Sequence, residues 1–141
     1  MAAGRRAVGT SEAGIVNAPP LPCPAVLGRH LLLDLQGVAP DLLTDAALVE
    51  RVLYGAAHVA GATPVDARFQ HFGPGLGVTG VLLLKESHIS IHTWPEYGFA
   101  AVDIFMCGTA RPEMAAQHIR AALAPRTMTL RDEARGIAGC R

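Results

Sequence analysis

The sequence predicts a layered α+β domain, on three observations. A period-two alternation runs through His88-Ile-Ser-Ile-His92, an apolar stripe recurs at helical spacing between Leu48 and Val59, and glycine- and proline-rich turns separate further apolar runs. Taken in order, residues 1–26 are rich in Ala, Gly and Pro, include Pro19-Pro20 and Pro22, and carry neither period, which predicts a flexible N-terminal extension. Arg5 and Arg6 precede any acid, as in an organelle-targeting peptide, but the segment is short of hydroxyl residues and of an amphipathic pattern. One domain is then expected over 27–141. His30-Leu-Leu-Leu-Asp-Leu35 reads as an apolar strand interrupted by one acid. Thr44 is placed as the N-cap of a helix whose Leu48, Val49, Val52, Ala56 and Val59 share one side, and Gly61 ends it. Strands over 65–72 and 78–84 flank the turn Gly73-Pro-Gly-Leu-Gly77. The next strand holds His88, Ser90 and His92 on a polar side and Ile89 and Ile91 on an apolar side, and Trp94-Pro95 stops it. A strand over 99–106, a helix opened by Arg111-Pro112 and a last strand over 127–130 complete the reading.

Composition narrows the function classes. At 141 residues the chain is long enough for one buried core and short for two. Twelve Lys+Arg balance twelve Asp+Glu, so the basic excess that favours nucleic acid or an anionic membrane surface is missing. The 50% of hydrophobic residues are not gathered into a stretch of membrane-spanning length, and the first residues hold no apolar core of a secretory signal. Cys23, Cys107 and Cys140 form no even-numbered framework and no Cys-x-x-Cys pair, which fits a reducing compartment. These points together lead to an expected cytoplasmic location and a small-molecule or protein partner.

The chemistry concentrates in Lys85-Glu-Ser-His-Ile-Ser-Ile-His-Thr-Trp-Pro-Glu-Tyr97, followed by Phe105-Met-Cys-Gly108 and preceded by Leu27-Gly-Arg-His30. Over most of its length the chain resembles the prokaryotic S-adenosylmethionine decarboxylase proenzymes, with Ser87, His92, Glu96 and Cys107 at the family's intervals. The resemblance implies a two-layer sandwich, an antiparallel sheet with two helices on one face. It also implies a homodimer with active sites near the subunit boundary, which nothing in the periodicity shows. By the same resemblance the precursor cuts itself between Glu86 and Ser87, giving residues 1–86 and 87–141. Ser87 becomes a covalently attached pyruvoyl group that forms the Schiff base with substrate, His92 is the proton acceptor in processing, and Cys107 is the proton donor in catalysis. Thr79 stands where the family often has a serine that assists processing. Glu96 would bind the ribose hydroxyls of S-adenosylmethionine and Phe72 would stack on its adenine. No metal is expected.

The residue types suit these roles. A serine hydroxyl is a weak nucleophile and needs a polarised carbonyl and a proton acceptor, which a histidine with an ordinary pKa of about 6.5 can be. A thiol with an ordinary pKa of about 8.5 holds a proton to donate at neutral pH, where a serine would not give one up. Because five residues separate Ser87 from His92, an unbroken strand points them to opposite faces, so their meeting requires a bend, a water or a rearrangement.

Two further readings stand beside this one. Phe72-Gly-Pro-Gly-Leu-Gly-Val-Thr-Gly80 is one residue longer than the usual family loop, and a decarboxylase of ornithine or arginine would need an acid such as Asp34 or Asp66 for the distal cation. A metal-binding module would use His88, His92 and Cys107, although their spacing is wide and a fourth ligand is not evident. Taken singly, Cys107, His92 and Ser87 each have an ordinary structural explanation, and it is their joint spacing that favours chemistry. His30, His58, His71 and His118 receive no assigned role.

Overall fold

The computed structural model describes residues 26–137, so the extension read over 1–26 lies outside it except for Val26, which already opens the first strand. Six strands form one antiparallel sheet: β1 (Val26–Gln36), β2 (Pro64–His71), β3 (Val78–Leu84), β4 (Ser87–Trp94), β5 (Phe99–Cys107) and β6 (Thr127–Ile137), in the spatial order β2-β3-β4-β5-β1-β6. Helices α1 (Pro40–Thr44), α2 (Ala46–Val59) and α3 (Pro112–Leu123) complete the described residues, with a 3-10 turn at Pro95–Tyr97. The two long helices pack on each other and on one face of the sheet, as the family resemblance implied.

The alternation of each strand sorts its side chains between two different environments. Leu31, Leu33 and Leu35 of β1, Leu82 and Leu84 of β3, Ile89 and Ile91 of β4, and Val102, Ile104 and Met106 of β5 are buried beneath the helices. They meet Val49, Leu53, Ala56 and Ala57 of α2 and Ala115, Ala116, Ile119 and Leu123 of α3, all fully or nearly fully buried. Among the described residues the other face carries no helix. His30, His88, Ser90, His92, Trp94, Asp103 and Phe105 stand on it, half-buried or exposed.

Three expectations are corrected. Asp45, not Thr44, caps α2: its carboxylate accepts the Leu48 amide at 2.9 Å, while Thr44 ends the separate short helix α1. Both residue types cap helices, and only the break to extended backbone at Asp45, between α1 and α2, selects the second. The last strand is also far longer than 127–130. It continues through Arg131-Asp-Glu-Ala-Arg-Gly136, a charged stretch of poor strand propensity, because it pairs with β1 along the length of both and because Arg29 of β1 bonds Asp132. The same Arg29 reaches Glu113 of α3 at 3.0 Å, tying the edge strand to the helical layer. Finally, β1 runs from Val26 to Gln36 rather than over 30–35 alone.

Close approach rather than turn geometry requires glycine at position 77. A Cβ there would lie 2.0 Å from the Thr93 carbonyl oxygen, backbone that cannot swing aside. Gly77→Ala is expected to lower the unfolding free energy by about 1–3 kcal/mol, the usual penalty of overpacking, and urea denaturation will measure it.

Candidate active site

Two clusters of functional side chains form at opposite ends of β4. The first is built by the hairpin between β3 and β4. Leu84 pairs with Ser87, so Lys85 and Glu86 are the only residues of the turn, and Glu86 is left-handed with φ of 66°. Positive φ at the second central position of a turn suits glycine, and a glutamate held there is strained by roughly 1–3 kcal/mol. The strained residue is the one whose carbonyl belongs to the peptide bond joining Glu86 to Ser87. Cys107, brought alongside by the β4–β5 pairing, donates its thiol hydrogen to that carbonyl oxygen at 3.2 Å. Its sulfur also lies 3.8 Å from Ser87 Oγ. A nucleophile, a hydrogen-bond donor and a conformationally loaded carbonyl therefore converge at one hairpin.

The second cluster lies at the far end of β4. Thr79 and His92 are directly opposed across β3 and β4, and Thr79 Oγ1 and His92 Nδ1 are 3.0 Å apart. Both line a cavity of about 270 Å³ with Phe72, Leu76, Gly77, Thr93, Trp94 and Glu96. Phe72, 58% exposed, is held at its mouth by a closed loop in which the Phe72 amide donates to Gly77 and the Leu76 amide to Gly73. Trp94 closes β4, as its pairing with Pro95 led one to expect. It is also a wall: its indole lines this cavity and a neighbouring groove of about 790 Å³ with Gln36, Gly37, Tyr97, Phe99, Arg126 and Thr127. The sequence reading missed this wall, although Trp94, two residues after His92, falls on the same strand face by alternation.

The strand β4 is continuous, so Ser87 and His92 of one chain are about 16 Å apart at 3.3 Å per residue. The structure thus joins Ser87 to Cys107 and joins Thr79, His92, Phe72 and Glu96 to one another, but keeps the two groups separate within the chain. Neither Asp34 nor Asp66 lines either cavity. Among the described residues no three His, Cys, Asp or Glu side chains converge as a metal site would require, and His88, His92 and Cys107 do not form one.

A third group crosses the open face between the clusters. Arg135 donates to His30 Nδ1 at 3.2 Å, His30 Nε2 faces Asp103 at 3.6 Å, and Ser90 donates to Asp103 at 3.4 Å. His88 stacks on Phe105 and stands 6.2 Å from the His30 ring. Burial, and secondarily the His30 charge, lower the His88 pKa, with Asp103 opposing them.

The comparisons with known proteins agree with this architecture. The solved adenosylmethionine decarboxylase of Aquifex aeolicus superposes with a TM-score of 0.76 and 38% identity, over 82% of this chain and 95% of that one. The fold is thus that of a small two-layer α+β decarboxylase scaffold. A family model described as S-adenosylmethionine decarboxylase matches residues 29–136, and this chain belongs to that family. It is 46% identical to the S-adenosylmethionine decarboxylase proenzyme of Thermodesulfovibrio yellowstonii over 112 residues, covering 79% of this chain and 82% of the relative. With the proenzyme of Symbiobacterium thermophilum it shares 48% over 110 residues, covering 77% and 83%.

The lowered His88 pKa sets a pH effect of definite sign. The folded chain takes up this proton less readily than the unfolded chain, so stability falls as pH drops from about 6.5 toward the lower folded value. An NMR titration of the imidazole is expected to place the His88 midpoint below 6.5, and His88→Asn is expected to weaken the acid-side decline in stability.

Proposed function

We propose that this chain is a self-processing, pyruvoyl-dependent S-adenosylmethionine decarboxylase that supplies the aminopropyl donor for spermidine synthesis. The observation that carries the reading is the hairpin at which Ser87 Oγ, the Cys107 thiol and the left-handed Glu86 carbonyl converge. The family names of the relatives agree with it.

Maturation follows from these groups. Ser87 Oγ attacks the Glu86 carbonyl carbon while the Cys107 thiol hydrogen-bonds the oxygen on which negative charge develops, an electrostatic aid of the oxyanion-hole kind. The carbon–nitrogen bond breaks as the hydroxyl proton passes to the Ser87 nitrogen, and an ester links Glu86 to the Ser87 side chain, relieving the left-handed constraint at Glu86. Removal of the Ser87 α-proton by the partner's His92 expels the Glu86 carboxylate and leaves dehydroalanine. Water then replaces its nitrogen, which departs as ammonia, and a ketone remains at the head of 87–141. The decarboxylase domain over 27–141 would thus comprise two associated pieces.

The pyruvoyl group, once present, supplies the electron sink for decarboxylation. The chain's own residues do the rest. Phe72 offers a planar face to adenine and Glu96 accepts the ribose hydroxyls at the edge of the same cavity. Cys107, beside position 87, returns a proton to the substrate α-carbon.

The separation of the two clusters along β4 supports a homodimer. Two chains packed open face to open face, head to tail, would set the partner's His92 and the partner's Thr79 against Ser87, with the partner's Phe72 and the partner's Glu96 around the substrate. In such a dimer Ser87 and His92 of one chain, five residues apart on one strand, need not meet each other. The cysteine usage fits a cytoplasmic enzyme.

Intact-mass analysis is expected to show fragments 1–86 and 87–141, the second without a free amino terminus. Ser87→Ala is expected to stay full length and inactive, and an uncut chain with normal decarboxylation of S-adenosylmethionine would refute the reading. Cys107→Ala is expected to slow cleavage and to reduce decarboxylation by about 10²–10⁴-fold in whatever fraction is cut. Co-expressed Ser87→Ala and His92→Ala chains are expected to cleave the His92→Ala chain in mixed dimers, whereas sites confined to one chain would leave both uncut.

A further inference from the structure

Thr93 sits between the two residues of the second cluster that face the open side, His92 and Trp94, yet points the other way. Only 6% exposed, it is the one buried polar side chain of the described core. Its hydroxyl is engaged as donor and as acceptor: Oγ1 donates to the Leu43 carbonyl in α1 at 2.7 Å and accepts the Val78 amide of β3 at 2.7 Å. Val78 precedes Thr79, and Gly77 before it is pressed against the Thr93 carbonyl. The hydroxyl therefore clamps the β3 residue next to Thr79 to the β4 residue next to His92, and fastens both to the corner between α1 and α2. The segment that follows is secured again at its far end, where the Val38 amide donates to the Gly98 carbonyl at 2.9 Å. Trp94, Pro95, Glu96 and Tyr97 are carried between these two anchors.

We infer that Thr93 is a positioning residue for both reactions, holding the Thr79–His92 pair in register for self-cleavage and the Trp94–Glu96 segment in place for substrate. This rests on the self-processing reading given above. The physical ground is that strand pairing alone sets Thr79 opposite His92 only to within the freedom of a strand end, where β3 passes into a glycine-rich loop and β4 into a 3-10 turn. A hydroxyl with two short bonds to the backbone of two other elements removes that freedom. Valine has nearly the same shape but neither bond, and it leaves the Val78 amide without its partner.

The test compares Thr93→Val, Thr93→Ser and the core variant Leu53→Ala with the wild-type chain after cell-free synthesis, following cleavage by gel and intact mass. Thermal denaturation of each, in an uncut Ser87→Ala background, gives the stability scale. Thr93→Val is expected to cleave about tenfold or more slowly, since small misplacements of reacting groups carry losses of that order, and Thr93→Ser to cleave near the wild-type rate. The stalled Thr93→Val precursor is expected to accumulate an ester that hydroxylamine splits between residues 86 and 87, the signature of a misplaced proton acceptor. The cut fraction of Thr93→Val is expected to show a raised KM for S-adenosylmethionine with kcat changed less. Wild-type cleavage rates in Thr93→Val, failure of Thr93→Ser to restore them, or an equal slowing in Leu53→Ala at the same loss of stability would each overturn the inference. A wild-type chain that does not cut itself would instead overturn the self-processing reading beneath it.

Discussion

The β3–β4 hairpin is the constraint on which the rest of the structure depends. A turn of only two residues, Lys85 and Glu86, fixes the register that sets Leu84 against Ser87 and Thr79 against His92. A slip of one residue would turn Ile89 and Ile91 out of the core and His88, Ser90 and His92 into it. The same turn demands a left-handed residue, and glutamate rather than glycine supplies it. Register, core and a strained peptide bond are thus consequences of one local geometry. The core contributes in return, since the buried Ile89 and Ile91 hold the strand against relaxation of the turn.

The sheet divides labour between its faces. Beneath α2 and α3 the alternate side chains are aliphatic and closely packed, which makes the strands rigid supports. On the open face the same strands present Thr79, His92, Trp94, His30, Asp103 and Phe105, and the polar groups bond across neighbouring strands. Reactive groups placed on strands rather than on loops keep their spacing, and both clusters use strand ends, where a short turn or a glycine loop gives a ligand access. One thiol touches both partners of the turn: Cys107 hydrogen-bonds the Glu86 carbonyl and its sulfur stands 3.8 Å from Ser87 Oγ.

The reach of sequence reasoning differs from element to element. Alternation located β4, and the apolar stripe with Gly61 located α2, because in each case the side-chain period matches the burial that the element achieves, while β3 was marked by the glycine- and proline-rich turn before it. The greater part of β6 escaped, since Arg131, Asp132, Glu133 and Arg135 carry no strand period and the strand exists through pairing with β1 and the Arg29 ion pairs. The cap of α2 was misplaced by one residue for a similar reason. Thr44 and Asp45 are chemically interchangeable as caps until the turn after α1 orients one of them.

For the site, the family was legible in one dimension, because the identities and spacings of Ser87, His92, Glu96 and Cys107 are facts of the sequence alone. The sequence also foretold that Ser87 and His92 point apart, since strand parity follows from counting. Only the tertiary structure decided that the Cys107 thiol bonds the Glu86 carbonyl, that Glu86 is left-handed, that Thr79 meets His92, and that the Thr93 hydroxyl joins α1, β3 and β4. Each of these joins residues distant in sequence or depends on a backbone angle, and such relations arise only when strand pairing and burial have selected one register from many.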